Sequence, residues 1–448
     1  MQISIVGSGY VGLVSGVCLA LKGHNVTCID KDTRIVESLN KGKPHIFEEG
    51  LHEALKKVVN NGRFKAVINF NNALENTGCV IIAVGTPSTD GKIDLAQVKS
   101  AATEIGTIIK KSNKKISVIV KSTVIPGTTD NYVKKIIEET SGKKLGQFGL
   151  GMNPEFLREG NAMEDFLYPD RIVMGFEDEY AKKTLEEIYL PWECDKVYVN
   201  TRTAEMIKYS NNVFLASLIS LSNELANHAS KLGNIDFLNV INAVALDKRW
   251  NPITKDNKRC NPGILSYLIP GAGFGGSCFP KDVQAIRTQG ESLDQQMSVL
   301  NAILSVNERQ PYQVKSILEK EFDDLKTKRI LLLGLAFKPG TDDIRESSAV
   351  KILLSLKDGV GQIISSDPYA IENTMSIKEL SNAVFVKDWE NFIDQSDIII
   401  IGTNWTEYKI LKDLDNNSKI KDKTIFDTKR LFSKGDFNNN KYLTIGFN

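Results

Sequence analysis

One thiol has neighbours that suggest chemistry. Cys278 lies in the run from Pro270 to Asp282 (PGAGFGGSCFPKD), behind glycines at 271, 273, 275 and 276. Those glycines make a loop whose backbone can fold around a ligand. Pro280 suits the first turn of a helix continuing through Val283 and Ile286. Cys278 therefore falls at or just before a helix N-terminus, where the dipole favours a thiolate. Lys281 adds positive charge nearby, and Asp282 is within reach of the same cavity. A buried structural cysteine is the alternative. A second chemical signal opens the chain: Gly7-Ser8-Gly9-Tyr10-Val11-Gly12 follows an apolar run and precedes an apolar helical pattern through Leu21. Gly7 permits the tight turn, Gly9 lets a pyrophosphate approach the backbone, and Gly12 lets the helix pack closely. Asp30 ends the next strand, where a carboxylate accepts from adenosine ribose hydroxyls, favouring NAD over NADP. Lys31 and Arg34 follow and soften that preference. A nicotinamide cofactor beside a nucleophilic thiol implies more than alcohol oxidation: an aldehyde is trapped as a thiohemiacetal, loses hydride, and is hydrolysed as a thioester.

Other polar groups fit such a site. Lys208 and Asn212 stand four apart in a helical pattern and share a face, as oxyanion donors, as proton-transfer groups or as an exposed pair. Glu155 and Glu159 in Asn153–Gly160 (NPEFLREG) are also four apart, and one can serve as a base toward water. Thr123, in Lys121–Thr128 (KSTVIPGT), can hold a water. Thr86, in Val84–Pro87 (VGTP), should line the cofactor cleft. Lys338 and Arg345 are basic groups near a later glycine loop, either holding phosphates or simply solvated. The histidines, at 24, 45, 52 and 228, fall outside all these segments, which disfavours a histidine-based hydride mechanism.

The elements that must position these groups are legible as periodicity. Strands are expected at Gln2–Val6, Val26–Ile29, 80–84, Ser117–Val120 and 171–174, alternating with helices, which reads as α/β with a parallel sheet. A helical pattern from about Thr203 to Leu232 is apolar on more than one face (Val213, Phe214, Leu218, Leu221, Leu225), so it is buried between domains or between subunits. A second α/β block starts near Lys328. Its strands at 329–335, 363–367 and 398–403 echo the first block without the dinucleotide glycines. The polar stretches 255–262 and 434–441 read as a loop and an exposed turn. The fold class is therefore α/β, with two Rossmann-like doubly wound domains joined by a long central helix. The domains are expected at 1–200 (NAD), 201–310 (central helix, dimerisation and the Cys loop) and 311–448 (nucleotide sugar).

Composition narrows the classes further. The 448 residues carry 56 Lys+Arg against 55 Asp+Glu, a net +1, which gives no field for nucleic acid or an acidic membrane. No apolar run approaches the ~20 residues of a bilayer span, and Met1 leads straight into Ile3, Ile5 and the glycine loop rather than a signal peptide. A soluble, cytoplasmic protein is expected. Six cysteines, at 18, 28, 79, 194, 260 and 278, form no C-x-x-C pair, so neither a disulfide framework nor a metal site is expected.

The segments GSGYVG, VGTP, KSTVIPGT, NPEFLREG, EMIKYSNN, GAGFGGSCFPKD and GLAFKPGTDDIRES occur in this order between residues 7 and 347. Together they resemble the UDP-glucose/GDP-mannose dehydrogenase family, over essentially the whole chain. The resemblance implies a two-fold oxidation of a nucleotide sugar using two NAD, in a homodimer bridged by the long helix. It makes Cys278 the nucleophile, and Lys208, Asn212 and Asp282 the groups managing protons and the oxyanion. Glu155 assists thioester hydrolysis, with Thr123 holding the water. On the cofactor side it places Gly7, Gly9, Tyr10, Val11, Gly12, Asp30, Thr86, Thr123, Glu159 and Arg345. Against the substrate it places Glu155, Phe156, Leu157, Lys208, Asn212, Tyr267, Gly271, Gly275 and Lys338. A substrate-facing arginine falls among Arg249, Lys258 and Arg259, in a stretch longer than many members have. Phe279 resembles the UDP-glucose branch more than the GDP-mannose branch, and Ser277 argues against the UDP-N-acetyl-sugar branch. Glu49 stands where the family often has Pro.

Overall fold

Apolar strands that end in glycine or a carboxylate set the architecture of both halves. The computed structural model describes residues 1–74, 77–89 and 91–447, and the chain divides into two compact units, Met1–Asn211 and Asn212–Asn448. In the first unit the strands are β1 (Gln2–Val6), β2 (Asn25–Ile29), β3 (Phe64–Val67), β4 (Cys79–Ile82), β5 (Ser88–Thr89), β6 (Lys92–Ile93), β7 (Ser117–Val120), β8 (Gly149–Met152), β9 (Arg171–Phe176) and β10 (Asp195–Val199). Eight of them form one sheet in the order β10-β9-β8-β7-β4-β1-β2-β3, while β5 and β6 pair separately. All pairs of the large sheet are parallel except β8 with β9. Strands buried on both faces, such as Cys79–Ile82 and Ser117–Val120, read as unbroken apolar runs for that reason. Strand order reverses between β1 and β4, so the crevice beyond their carboxyl ends is the switch point where such sheets bind ligands. The segments after β1, β4, β7 and β8 carry the glycine loop, Thr86, Thr123 and Glu155.

In the second unit β11 (Arg329–Leu333), β12 (Gln362–Ser366), β13 (Val384–Phe385), β14 (Ile398–Ile401), β15 (Thr424–Asp427) and β16 (Lys441–Thr444) form a parallel sheet ordered β13-β12-β11-β14-β15-β16. The plan matches the first unit, and its second-strand acid gathers several donors. Asp367, just past β12, accepts from the backbone N–H groups of Leu335 (2.7 Å) and Ala336 (3.0 Å), from the Trp405 indole (3.1 Å), and from the amides of Tyr369 and Ala370. Two amides of the second glycine loop are thus turned onto an internal carboxylate. The stretch expected to be a loop at 255–262 is one, pinned by a single bridge between Ile253 and Arg259. The stretch 434–441 starts as a short 3-10 turn and ends as the first residue of β16, which pairs with β15.

The long helix spans Thr201–Leu232. Phe214, Leu221, Leu225 and Leu232 are exposed by 70, 58, 48 and 64%. Spacings of seven, four and seven residues keep these four on one face. Among the described residues no helix is long and apolar enough to cross a membrane. Nearer its start, fully buried Glu205 accepts from the backbone amides of Gly127 (2.7 Å) and Thr129 (2.8 Å), anchoring the loop that follows Thr123. Burial pushes its carboxyl up to about 7 against those hydrogen bonds. The folded value lies above the unfolded one, so this contribution to stability is complete below about pH 4.5 and is lost as pH rises through about 7. Urea melts of wild type and Glu205→Gln at pH 5 and pH 8 should therefore converge by about 3 kcal/mol in favour of the variant at the higher pH. A gap that stays constant with pH contradicts this.

Candidate active site

The glycine loop has the shape a pyrophosphate needs. A side chain at Gly12 would meet the Gly7 carbonyl oxygen at 2.0 Å, one at Gly7 would meet the Ala83 oxygen at 2.8 Å, and one at Gly9 would meet nothing within 4 Å. Gly7 and Gly12 therefore serve packing, and the open space over Gly9 is where a dinucleotide fits. The helix Tyr10–Leu21 starts there and directs its first N–H groups and positive dipole end at that space. Asp30 accepts from the Ser8 amide (3.1 Å), the Ser8 hydroxyl (2.5 Å) and the Asp32 amide (3.0 Å). With about four acceptor positions, a carboxylate so held still has capacity for a ribose hydroxyl. Burial opposes its charge, but the Ser8 and Asp32 hydrogen bonds prevail and hold the carboxyl below its ordinary range. Arg34 is 91% exposed and paired with Asp32 at 2.8 Å, so it is spent locally. Across the switch point the Thr86 hydroxyl donates to the Thr123 carbonyl at 2.9 Å, joining the segments after β4 and β7. Val11 is half-buried in the helix's first turn.

A buried charge cluster lies at the end of β8 in the same unit. Lys208 Nζ sits 3.0 Å from Glu155 Oε1, with the two side chains 4% and 6% exposed. Glu155 Oε2 accepts from the Leu157 amide at 2.7 Å, and the Thr123 hydroxyl reaches Oε1 at 3.5 Å. Burial alone would raise the Glu155 carboxyl; the Lys208 ammonium and the Leu157 amide overcome that and hold it below its ordinary value. A base, a cation and a hydroxyl thus converge, as water activation requires. Phe156 is covered by the Arg171 guanidinium, 4.0 Å from its ring centre. Glu159 is half-buried four residues on. Sequence reading gave Lys121 no role, yet it is buried, donates to Asn153 Oδ1 at 2.8 Å, and is pushed down to about 8 by burial. Together with Asn153, Glu155, Phe156, Arg171 and Tyr189 it lines a cavity of about 50 Å³. The available signal was a lysine ending an otherwise buried apolar strand.

The thiol and its neighbours belong to the second unit. Cys278 is the N-cap of the helix Phe279–Glu291, with Pro280 in its first turn, as the sequence predicts. Its sulfur lies 3.6 Å from the Ser277 hydroxyl. Asp282 is 1% exposed; it accepts from the Asn212 amide at 2.7 Å and from Lys281 at 2.8 Å. Lys281 is therefore tied to Asp282, and Asp282 fixes which way Asn212 presents its NH2 donors. By contrast Cys18, Cys28 and Cys79 are fully buried, and burial pushes those thiols up.

The glycines of this segment allow close packing within their own unit. A side chain at Gly271 would meet the Thr428 oxygen at 2.7 Å, at Gly275 the Glu346 oxygen at 2.3 Å, and at Gly276 the Phe337 ring at 2.7 Å. They let the loop press against its own unit, and the Gly276 amide donates to the Arg345 carbonyl at 2.8 Å. Arg345 itself forks onto Asp343 at 2.7 Å with 63% of its side chain exposed. The Lys338 ammonium lies 5.4 Å from the Phe337 ring centre. Tyr267 packs at 6.4 Å from Phe279, which also meets Phe274 at 6.0 Å. Of the three basic groups in the long stretch, Arg249 pairs with Asp247 at 2.5 Å on the surface and Arg259 donates to the Asn251 carbonyl at 3.0 Å.

Comparison with known families fits this division of labour. Residues 1–193 match the NAD binding domain of the UDP-glucose/GDP-mannose dehydrogenase family, residues 202–309 its central domain, and residues 331–434 its UDP binding domain. The chain belongs to the UDP-glucose/GDP-mannose dehydrogenase family. As a member of that family it is an NAD-dependent oxidoreductase. A UDP-glucose 6-dehydrogenase of Haloferax volcanii is 38% identical over 441 residues, covering 97% of this chain and 98% of that one. One from Rickettsia bellii is 37% identical over 453 residues, covering 100% and 99%. The structure of a UDP-glucose dehydrogenase from Pyrobaculum islandicum superposes with a TM-score of 0.89 at 38% identity, covering 100% of this chain and 98% of that one. The two Rossmann-like sheets expected from the sequence are those of the family fold.

Proposed function

We propose that this chain oxidises the primary alcohol of UDP-glucose to a carboxylate, giving UDP-glucuronate, through covalent catalysis by Cys278. The observation that carries the reading is the occurrence in one chain of an open dinucleotide loop at Gly9 and a cysteine capping a helix N-terminus. Dehydrogenation of an alcohol alone needs no such thiol. Bound NAD supplies a hydride acceptor. Lys208, held at Glu155, offers a donor to the substrate oxygen, and Asn212, oriented by Asp282, offers an amide donor. The primary alcohol gives up its hydroxyl proton and a first hydride to become an aldehyde, and the Cys278 sulfur then adds to the aldehyde carbon, forming a C–S bond while the C=O π bond breaks and its oxygen gains charge. Loss of a second hydride leaves a thioester. Glu155, kept ionised by Lys208, then takes a proton from water as the water oxygen adds to the acyl carbon. The C–S bond breaks, the acid leaves, and the thiol is restored.

The same reading assigns residues 1–200 to NAD, 201–310 to dimerisation and the thiol loop, and 311–448 to the nucleotide, with Tyr267, Gly271, Gly275 and Lys338 at the substrate. Arg345 reaches toward the cofactor by exchanging its Asp343 partner. The exposed stripe Phe214–Leu221–Leu225–Leu232 is the kind of patch that a second subunit covers, which supports a homodimer. Buried thiols and a nicotinamide cofactor suit the cytoplasm. The test is the yield of NADH per sugar consumed, with UDP-glucose and GDP-mannose side by side. Two per UDP-glucose with UDP-glucuronate as product is the expected result. One per sugar excludes the four-electron course, preferential use of GDP-mannose moves the assignment to that sugar, and no NADH with either leaves a nucleotide-sugar sensor.

A further inference from the structure

Another buried carboxylate, Glu48, ties the cofactor loop to the segment that carries Glu155 and Glu159. Glu48 is 6% exposed and belongs to neither segment. One of its oxygens accepts from the Tyr10 hydroxyl and from the Gly160 amide at 2.8 Å; the other accepts from the Ala162 amide at 2.7 Å. The Gly160 amide also approaches the Tyr10 oxygen at 3.2 Å. Tyr10 is the first helical residue after Gly9, and Gly160 directly follows Glu159 with a φ of +78° that favours glycine. Burial and the Glu48 hydrogen bond both raise the Tyr10 hydroxyl, so it remains a donor. A carboxylate shared among donors from two segments fixes both at once: displacing Tyr10 removes one donor and leaves the other two to redistribute around the same buried charge. Glu49, the residue that departs from the family pattern, is exposed beside it.

We propose that Glu48 is a positioning residue that couples occupation of the dinucleotide loop to the placement of the Glu155–Gly160 segment. This rests on reading Gly7–Gly12 as the NAD loop. In the full-length protein, saturating NAD should slow hydrogen exchange in the backbone of residues 158–162. In Tyr10→Phe and Glu48→Gln that slowing should be lost even at saturating NAD. The Kd for NAD, from fluorescence titration, should rise about tenfold in each, as expected for losing a hydrogen bond to a charged group. The double variant should be no weaker than the worse single. Tyr10→Phe keeps the ring and the two backbone bonds to Glu48, so it carries the test if Glu48→Gln does not fold. Full NAD-induced protection of 158–162 in Tyr10→Phe, or additive effects on Kd in the double variant, would overturn the coupling. Gly9→Val separates the layers: unchanged NAD affinity there overturns the loop assignment and the proposal with it.

Discussion

Replacing Cys278 with serine should abolish acid formation, lowering turnover by on the order of 10³–10⁶, the range found when a catalytic nucleophile is removed. The reason is the nucleophile's ionisation. Sulfur is the stronger nucleophile and a thiol ionises far more readily than a hydroxyl, whereas a serine hydroxyl needs an adjacent base to attack. The swap changes little volume at a half-buried position, so unfolding midpoints of variant and wild type should agree. Incubation with UDP-glucose and NAD, followed by mass analysis of the protein, supplies the second check. Wild type caught by acid quench should carry the thioester-linked UDP-glucuronoyl group on the peptide containing Cys278, and the variant should carry none. Normal NADH formation by Cys278→Ser would remove the thiol from the mechanism.

Lys208→Met should cost both stability and activity, and the two losses should separate with pH. The pair with Glu155 is buried on both sides, so truncation of the cation leaves a carboxylate with its desolvation uncompensated, a penalty of about 3–5 kcal/mol near pH 7. In wild type the Glu155 carboxyl is held below its unfolded value, so its stabilisation is present above about pH 4.5 and is lost as pH falls through the folded value. In the variant, the Leu157 amide and the more distant Lys121 are left to oppose burial, so the carboxyl protonates more readily and the penalty shrinks with acidity. Urea melts should therefore show the two proteins converging below about pH 5. Adding Glu155→Gln to Lys208→Met should restore most of the stability while turnover stays down by about 10²–10⁴. Equal loss at all pH values would mean that the pair carries no such electrostatic load.

What could be read from the chain, and what could not, divides along the backbone. The strands around residues 2–6, 117–120 and 398–401 are apolar runs whose pattern declares them, and Cys278 at a helix start follows from Pro280. The roles of Asp30 and Asp367 do not follow from pattern: both end the second strand of a similar sheet. Both accept amides of their own glycine loop, Asp30 from Ser8 and Asp367 from Leu335 and Ala336, and what sets Asp367 apart is the further donor from the Trp405 indole, a residue far along the chain. Glu48 was invisible for the same reason, because two of its three partners are backbone N–H groups far along the chain. The glycines at 271, 275 and 276 were legible as glycines, but what they approach is set by tertiary packing against Thr428, Glu346 and Phe337.

The inward turn of the second loop also bears on traffic. A chain with two sheets of one plan but one set of dinucleotide glycines offers a single berth for a dinucleotide, since the second loop carries Leu335 and Ala336 after Gly334, with their amides on Asp367. Two oxidations of one sugar must then queue at that berth, which has to empty and refill between them while the half-oxidised sugar waits on the protein. Retention of the sugar through this interval, rather than the speed of either bond-breaking event, decides whether aldehyde escapes.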